Sequence, residues 1–168
     1  ALAKEMHLCS NEIDAKVFET LYIGGGTPSV LSIIQMQSLM HLIHEHTRMS
    51  EDAEFTVEAN PNSLSPAMLS LFREQGVNRI SIGVQSFFPD ILAWLGRVHT
   101  ASDAEKAVEA ARTAGFDNIG VDLIYGIPGL SGERWRETLR KAVELRPNHI
   151  SAYSLSVDEG SKLHQEMP

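Results

Sequence analysis

Cysteine is nearly missing from this sequence. Cys9 is the only one in 168 residues, which excludes a disulfide framework within the chain and points to a reducing compartment, the cytoplasm. Basic excess is missing as well: 14 Lys and Arg stand against 22 Asp and Glu, a net charge of −8. A nucleic-acid groove would need a basic stripe, so nucleic acid is set aside as a partner and the acidity reads as a solubilising surface. No apolar run approaches a membrane span, and no signal-peptide pattern opens the chain. Also absent are a Ser-His-Asp grammar, a phosphate loop ending in Gly-Lys and a zinc-protease histidine pair. What is present, 43% apolar and 21% charged residues, is the composition of one globular domain with a real core.

Strand-like and helix-like stretches alternate along the chain. Residues 1–10 read as the end of a helix and Thr20–Ile23 as a short buried strand. Ser32 and Gln35 have capping-box spacing, and Met36, Leu39, Met40 and Ile43 recur at helical period. Phe55–Glu58 is the next strand; Ser65-Pro66 opens a helix that Gly76 closes. Arg79–Gln85 alternates apolar and polar as a strand does, and Pro89–Leu95 is a short helix. A longer helix is expected from Ser102, with Glu105 as its capping partner, to Gly115. Ile119–Leu123 is a strand, Trp135 to Leu145 a helix, and His149–Leu155 the last strand.

This alternation predicts an α/β fold of βα units around about five parallel strands. The C-terminal ends of those strands choose the architecture. They read Gly24-Gly25-Gly26, Glu58, Gln85, Asp122 and Tyr153. A doubly wound sheet decorates only the ends at its switch point; polar residues at every end favour a curved sheet whose ends converge. Five strands do not close an eight-stranded barrel, so the expectation is an incomplete (βα) barrel.

The glycine cluster Gly24-Gly25-Gly26-Thr27-Pro28 reads as either a tight turn or a cradle of backbone N–H groups for a carboxylate or phosphate. Glu58 ends an apolar strand and needs a partner; the plainer reading is a carboxylate capping a loop. Gln85 follows Gly83, whose mid-strand position suggests close backbone approach. Arg97, between two helices, suits bidentate recognition of a carboxylate, or else makes a surface ion pair. Asp122, in the apolar run Val121–Pro128 with Tyr125, must accept hydrogen bonds, for example from ribose hydroxyls. His41 and His44 share a helix face, but no third ligand has metal-site spacing, so no metal site is assigned.

In order, the strings Tyr22-Ile23-Gly24-Gly25-Gly26-Thr27-Pro28-Ser29, Glu58-Ala59-Asn60-Pro61, Arg79–Phe87, Leu95–His99, Asp122–Gly129 and Ser151–Gly160 closely resemble radical S-adenosylmethionine proteins. The nearest group is the oxygen-independent coproporphyrinogen III oxidases and their haem-chaperone relatives. The resemblance spans about 150 residues and implies an incomplete six-stranded (βα) barrel that holds S-adenosylmethionine at its strand ends. In such proteins Gly25, Gly26 and Thr27 face the methionine end and Arg97 pairs with its carboxylate. Glu58, Gln85 and Asp122 contact the ammonium and ribose, and Ile124, Tyr153 and Ser156 line the same ligand. The Tyr-x-Leu-x-Val-acidic-acidic-Gly pattern from Tyr153 looks more like the chaperone branch than the oxidase branch.

One departure stands out. The family's 4Fe-4S cluster needs a CxxxCxxC loop after the first strand, three thiolates with one iron left open, and this chain has only Cys9. The two explanations are a partial barrel domain, residues 1–168, whose parent carries the first strand, cysteine loop and C-terminal domain, or a natural loss of the cluster. In either case this chain alone is expected to be inactive in S-adenosylmethionine cleavage. Three functions compete: a haem chaperone that passes haem to an acceptor protein, an anaerobic coproporphyrinogen III dehydrogenase acting on propionates, and an iron-free barrel enzyme with an anion-binding glycine loop. Without a neighbour, the Thr20–Ile23 strand would expose unpaired backbone groups, and self-association through that edge is expected.

Overall fold

The computed structural model describes residues 2–13, 15–157, 159, 160 and 164; the helical start at Ala1 and the acidic Asp158 of the last motif lie outside them. Helices α1 (Leu2–Leu8) and α2 (Ser10–Ile13) precede strand β1 (Val17–Ile23). There follow α3 (Ile33–His46), β2 (Arg48–Ala59), α4 (Pro66–Glu74), β3 (Arg79–Gln85), α5 (Pro89–Trp94), α6 (Ala101–Thr113), β4 (Asn118–Tyr125), α7 (Gly132–Glu144) and β5 (His149–Ser154).

The five strands are parallel and lie in the order β1-β2-β3-β4-β5. A doubly wound sheet would reverse its order at a switch point. This order never reverses, and the sheet curls into a half-barrel, as the decorated strand ends foretold. Alternation along each strand sorts its residues between two faces. Phe55, Val57 and Ala59 of β2, Ile80, Ile82 and Val84 of β3, and Ile119, Val121 and Leu123 of β4 are all buried in the apolar core with Met36, Met40, Leu69, Phe72, Val108 and Ala111 from the helices. The other face carries Thr56, Glu58, Ser81, Gly83 and Asp122. Register places Glu58 opposite Ser81 and Gly83 opposite Asp122, so these polar groups meet across neighbouring strands.

The strands extend further toward their N-termini than the apolar pattern suggests. β1 begins at Val17 and β2 at Arg48. The added residues of β2 are mostly polar and pair with β1 through a register break: Phe18 faces Met49, and Thr20 already faces Glu54. A bulged, exposed ribbon of this kind has no apolar alternation to read.

Helix entry is set by side-chain caps. Ser32 and Gln35 form the expected capping box of α3, and Ser65 caps α4 with Pro66 in its first turn. At α6 the expected cap, Ser102 with Glu105, is two residues late. Thr100 is the N-cap: its hydroxyl accepts from the Asp103 amide at 3.2 Å, while the Asp103 carboxylate takes the Thr100 amide at 2.8 Å. Both pairs have the same spacing, and the extended backbone of Thr100 decides which one caps. Thr100→Ala is therefore expected to cost about 1 kcal/mol and Ser102→Ala less than about 0.5 kcal/mol, read as shifts in the urea unfolding midpoint.

Candidate functional site

The glycine loop leaves β1 at Ile23, and Gly25 and Gly26 take φ of +80° and +58°, conformations natural to glycine. The loop is knitted to the segment after β2. Asn60 Nδ2 donates to Thr27 Oγ1 at 3.1 Å, the Asn60 amide donates to Ser29 Oγ at 3.3 Å, and Ser63 Oγ donates to the Asn60 carbonyl at 2.7 Å. The Ser29 and Ser63 hydroxyls are hydrogen-bonded to each other. The anion that the Gly25 N–H meets belongs to the protein: the amide donates to Glu58 Oε2 at 3.2 Å. The other oxygen, Oε1, accepts the Tyr22 hydroxyl at 2.6 Å. Burial, then this hydrogen bond and the charge of Glu58, hold the Tyr22 phenol above its ordinary titration range, so it remains a donor.

Asp122 is held on β4, two strands away. Ser81 Oγ lies 3.1 and 3.0 Å from its two oxygens, sharing one proton between them. Gln85 ends β3 with φ +63°, a left-handed conformation that costs a non-glycine residue about 1–2 kcal/mol. The register skips Val84, from Gly83 opposite Asp122 to Gln85 opposite Leu123, and this bulge re-aims the Gln85 side chain over Gly83. A Cβ on Gly83 would stand 2.8 Å from Gln85 Nε2 and 3.5 Å from Asn60 Oδ1. Arg97 sits in the turn between α5 and α6, half-buried. That turn is tied down on both sides of it: the Arg97 amide donates to the Leu92 carbonyl at 2.8 Å, and buried His99 places Nε2 3.0 Å from the Val84 carbonyl. Among the described residues no side chain pairs with the Arg97 guanidinium.

These groups surround one cavity of about 430 Å³ at the C-terminal edge of the sheet, within the range of small-ligand sites, roughly 300–1,000 Å³. Gly26, Thr27, Glu58, Gln85, Arg97, Asp122, Ile124, Tyr153 and Ser156 all line it. Gly25 does not, and reaches it through Glu58. Gly83, the expected point of close backbone approach, lines it too; so do Asn60 and Ser81, which were not singled out from the sequence, nor was Tyr22. Their signal was the two-residue period: Ser81, Gly83 and Gln85 run along one strand, and Asn60 lies two residues beyond Glu58. Tyr125 turns away, its ring 5.6 Å from that of Trp135. His41 and His44 go to separate partners, Glu45 at 3.3 Å and the Gln75 carbonyl at 3.2 Å. Two carboxylates and a guanidinium without a side-chain partner among the described residues, in a single cavity, suit an occupant with both a cationic centre and a carboxylate, and with hydroxyls to share.

The Radical SAM superfamily family model matches residues 10–142. The chain belongs to the radical SAM superfamily. Curated relatives include the heme chaperone HemW of Mycobacterium tuberculosis, 39% identical over 163 residues, covering 97% of this chain and 42% of that protein. HemW of Bacillus subtilis is 42% identical over 159 residues, 94% of this chain and 42% of that protein. Among solved structures, the radical SAM enzyme coproporphyrinogen III oxidase (HemN) from Escherichia coli superposes with a TM-score of 0.84 at 30% identity, over 92% of this chain and 36% of that one. The chain thus spans about two-fifths of the length of the curated relatives it matches.

For the radical SAM half-barrel seen here, the His99 contact predicts a specific cost. His99→Ala removes one of the two groups bonded to the buried Val84 carbonyl, which keeps the Ser86 amide at 2.7 Å, and should destabilise the domain by about 0.5–1.5 kcal/mol, with faster amide exchange across residues 95–99 as the local signature.

Proposed function

We propose that the cavity binds S-adenosylmethionine, with Arg97 taking the carboxylate, and Glu58, Gln85 and Asp122 taking the ammonium and ribose hydroxyls. The observation that carries this reading is that the Arg97 guanidinium, which has no side-chain partner among the described residues, lines one cavity with two carboxylates already oriented by Tyr22, Gly25 and Ser81. A guanidinium and two fixed carboxylates together complement an amino-acid head group joined to a nucleoside. Ile124 and Tyr153 provide an apolar wall beside Asp122 for a base. When bound at a reduced iron–sulfur cluster, S-adenosylmethionine supplies one-electron chemistry. Cys9, between α1 and α2, is the only thiol in the sequence, and one thiolate does not hold a 4Fe-4S cluster. The residues of this chain therefore fit the nucleoside cofactor and not the cluster, which belongs to the full-length protein in this reading.

Within the family, the proposed role of that full-length protein is a cytoplasmic haem chaperone. Identities of 39–42% to HemW proteins, against 30% to HemN, support this branch over porphyrin oxidation. Haem is then the cargo and a haem-accepting protein the partner. No helix among the described residues is long and apolar enough to cross a membrane. Expressed by itself, the 168-residue chain should associate through the β1 edge, whose only strand partner among the described residues is β2; a monomer at high concentration in size-exclusion chromatography would exclude this.

The test is anaerobic reconstitution of the full-length protein, followed by calorimetric titration with S-adenosylmethionine and parallel assays of haem transfer and coproporphyrinogen III turnover. Binding with haem transfer and no porphyrin turnover is expected; porphyrin turnover would move the protein to the oxidase branch. Arg97→Ala should weaken binding by about 10- to 100-fold, the worth of a charged hydrogen-bonded pair. Gly83→Ala should leave the unfolding midpoint within about 0.5 kcal/mol of the parent, because the atom it displaces is the mobile end of Gln85, while weakening the ligand. Affinity unchanged from wild type in both variants would mean that S-adenosylmethionine does not occupy this cavity.

A further inference from the structure

We propose that Tyr22 is a positioning residue for the cavity, whose phenol fixes the orientation in which Glu58 meets its ligand. The inference rests on the reading above only for the identity of that ligand. Tyr22 lies on the cavity side of β1, and register sets it opposite Thr56, so Glu58 stands two residues further along β2. From there the phenol reaches the carboxylate diagonally, at the 2.6 Å of a charge-assisted O–H···O bond. Each carboxylate oxygen of Glu58 has its own donor, Tyr22 on Oε1 and the Gly25 amide on Oε2. Two donors on two oxygens define the plane of the group as well as its place.

Gly24 is part of the same device. A Cβ there would stand 2.6 Å from Tyr22 Cε1, 3.0 Å from Glu58 Cδ and 3.1 Å from Glu58 Oε1. Ring and carboxyl therefore pack directly over the bare backbone of Gly24, which closes one side of a ring that is otherwise exposed. Glu58 is only half-buried; released from Tyr22, its long side chain would sample the open cavity, and a ligand would have to order it on binding. Tyr22 thus acts at a distance from the ligand, through Glu58, and at the same time latches the glycine loop by keeping Oε2 against Gly25.

The experiment compares Tyr22→Phe, Glu58→Gln and the double variant in the full-length protein. Phenylalanine keeps the ring over Gly24 and removes only the hydroxyl. The first readout needs no ligand: amide hydrogen exchange at Gly25 in glycine-labelled protein, expected to quicken several-fold in Tyr22→Phe while the unfolding midpoint holds. The second is affinity for S-adenosylmethionine by calorimetry. Tyr22→Phe should weaken it about tenfold, the scale of one charge-assisted hydrogen bond, and the double variant should be no weaker than Glu58→Gln alone within about twofold. Unchanged exchange at Gly25, or losses that multiply in the double variant, would overturn the proposal. Failure of the wild-type protein to bind S-adenosylmethionine would overturn the functional reading instead, with the Gly25 amide still deciding the role of Tyr22.

Discussion

The cavity depends on the strict two-residue alternation of β2, β3 and β4. Val57, Ile80, Ile82, Val84, Val121 and Leu123 are buried under the helices, and each such side chain contributes about 1.5–3 kcal/mol by leaving water. A one-residue slip of β3 would exchange Ile80, Ile82 and Val84 for Arg79, Ser81 and Gly83. The loss would rival the whole stability of an ordinary domain, about 5–15 kcal/mol. The apolar face therefore holds the polar face in register. Ser81 stands beside Asp122, and Glu58 beside Tyr22, because hydrophobic packing behind them leaves no other arrangement.

Within the cavity the polar groups fall into two kinds. Glu58 and Asp122 are already bonded by donors of the protein, Tyr22, Gly25 and Ser81; Arg97 has no side-chain partner among the described residues. A fixed carboxylate keeps acceptor capacity to spare after taking one donor on each oxygen, since each oxygen has two lone pairs. The arrangement thus orders the anionic side before any ligand arrives, while the Arg97 side waits in a turn anchored by His99 and Leu92.

Much of this was legible in the sequence, and what was missed has a common cause. Strand ends were visible because a polar residue closing an apolar run is conspicuous, which is how Glu58, Gln85 and Asp122 were found; all three line the cavity. Ser32 with Gln35 capped as expected. Asn60, Ser81 and Tyr22 escaped because their importance lies in what they touch across strands, and single-chain spacing does not display a partner 33 to 41 residues away. The polar start of β2 escaped because Ala53 alone among residues 48–54 is buried. At α6 two overlapping boxes offered equal local chemistry, and the path of the incoming turn, which local spacing does not contain, selected Thr100.

Gln85 sets a limit on how this protein can be improved. Its left-handed backbone, φ +63°, is a conformation that glycine adopts without strain. A selection for thermal tolerance alone would favour glycine there and remove the one amide that the bulge aims into the cavity. The least relaxed point of β3 is thus also one that selection for ligand binding would defend, and a more robust domain obtained at that position would be a less complete site.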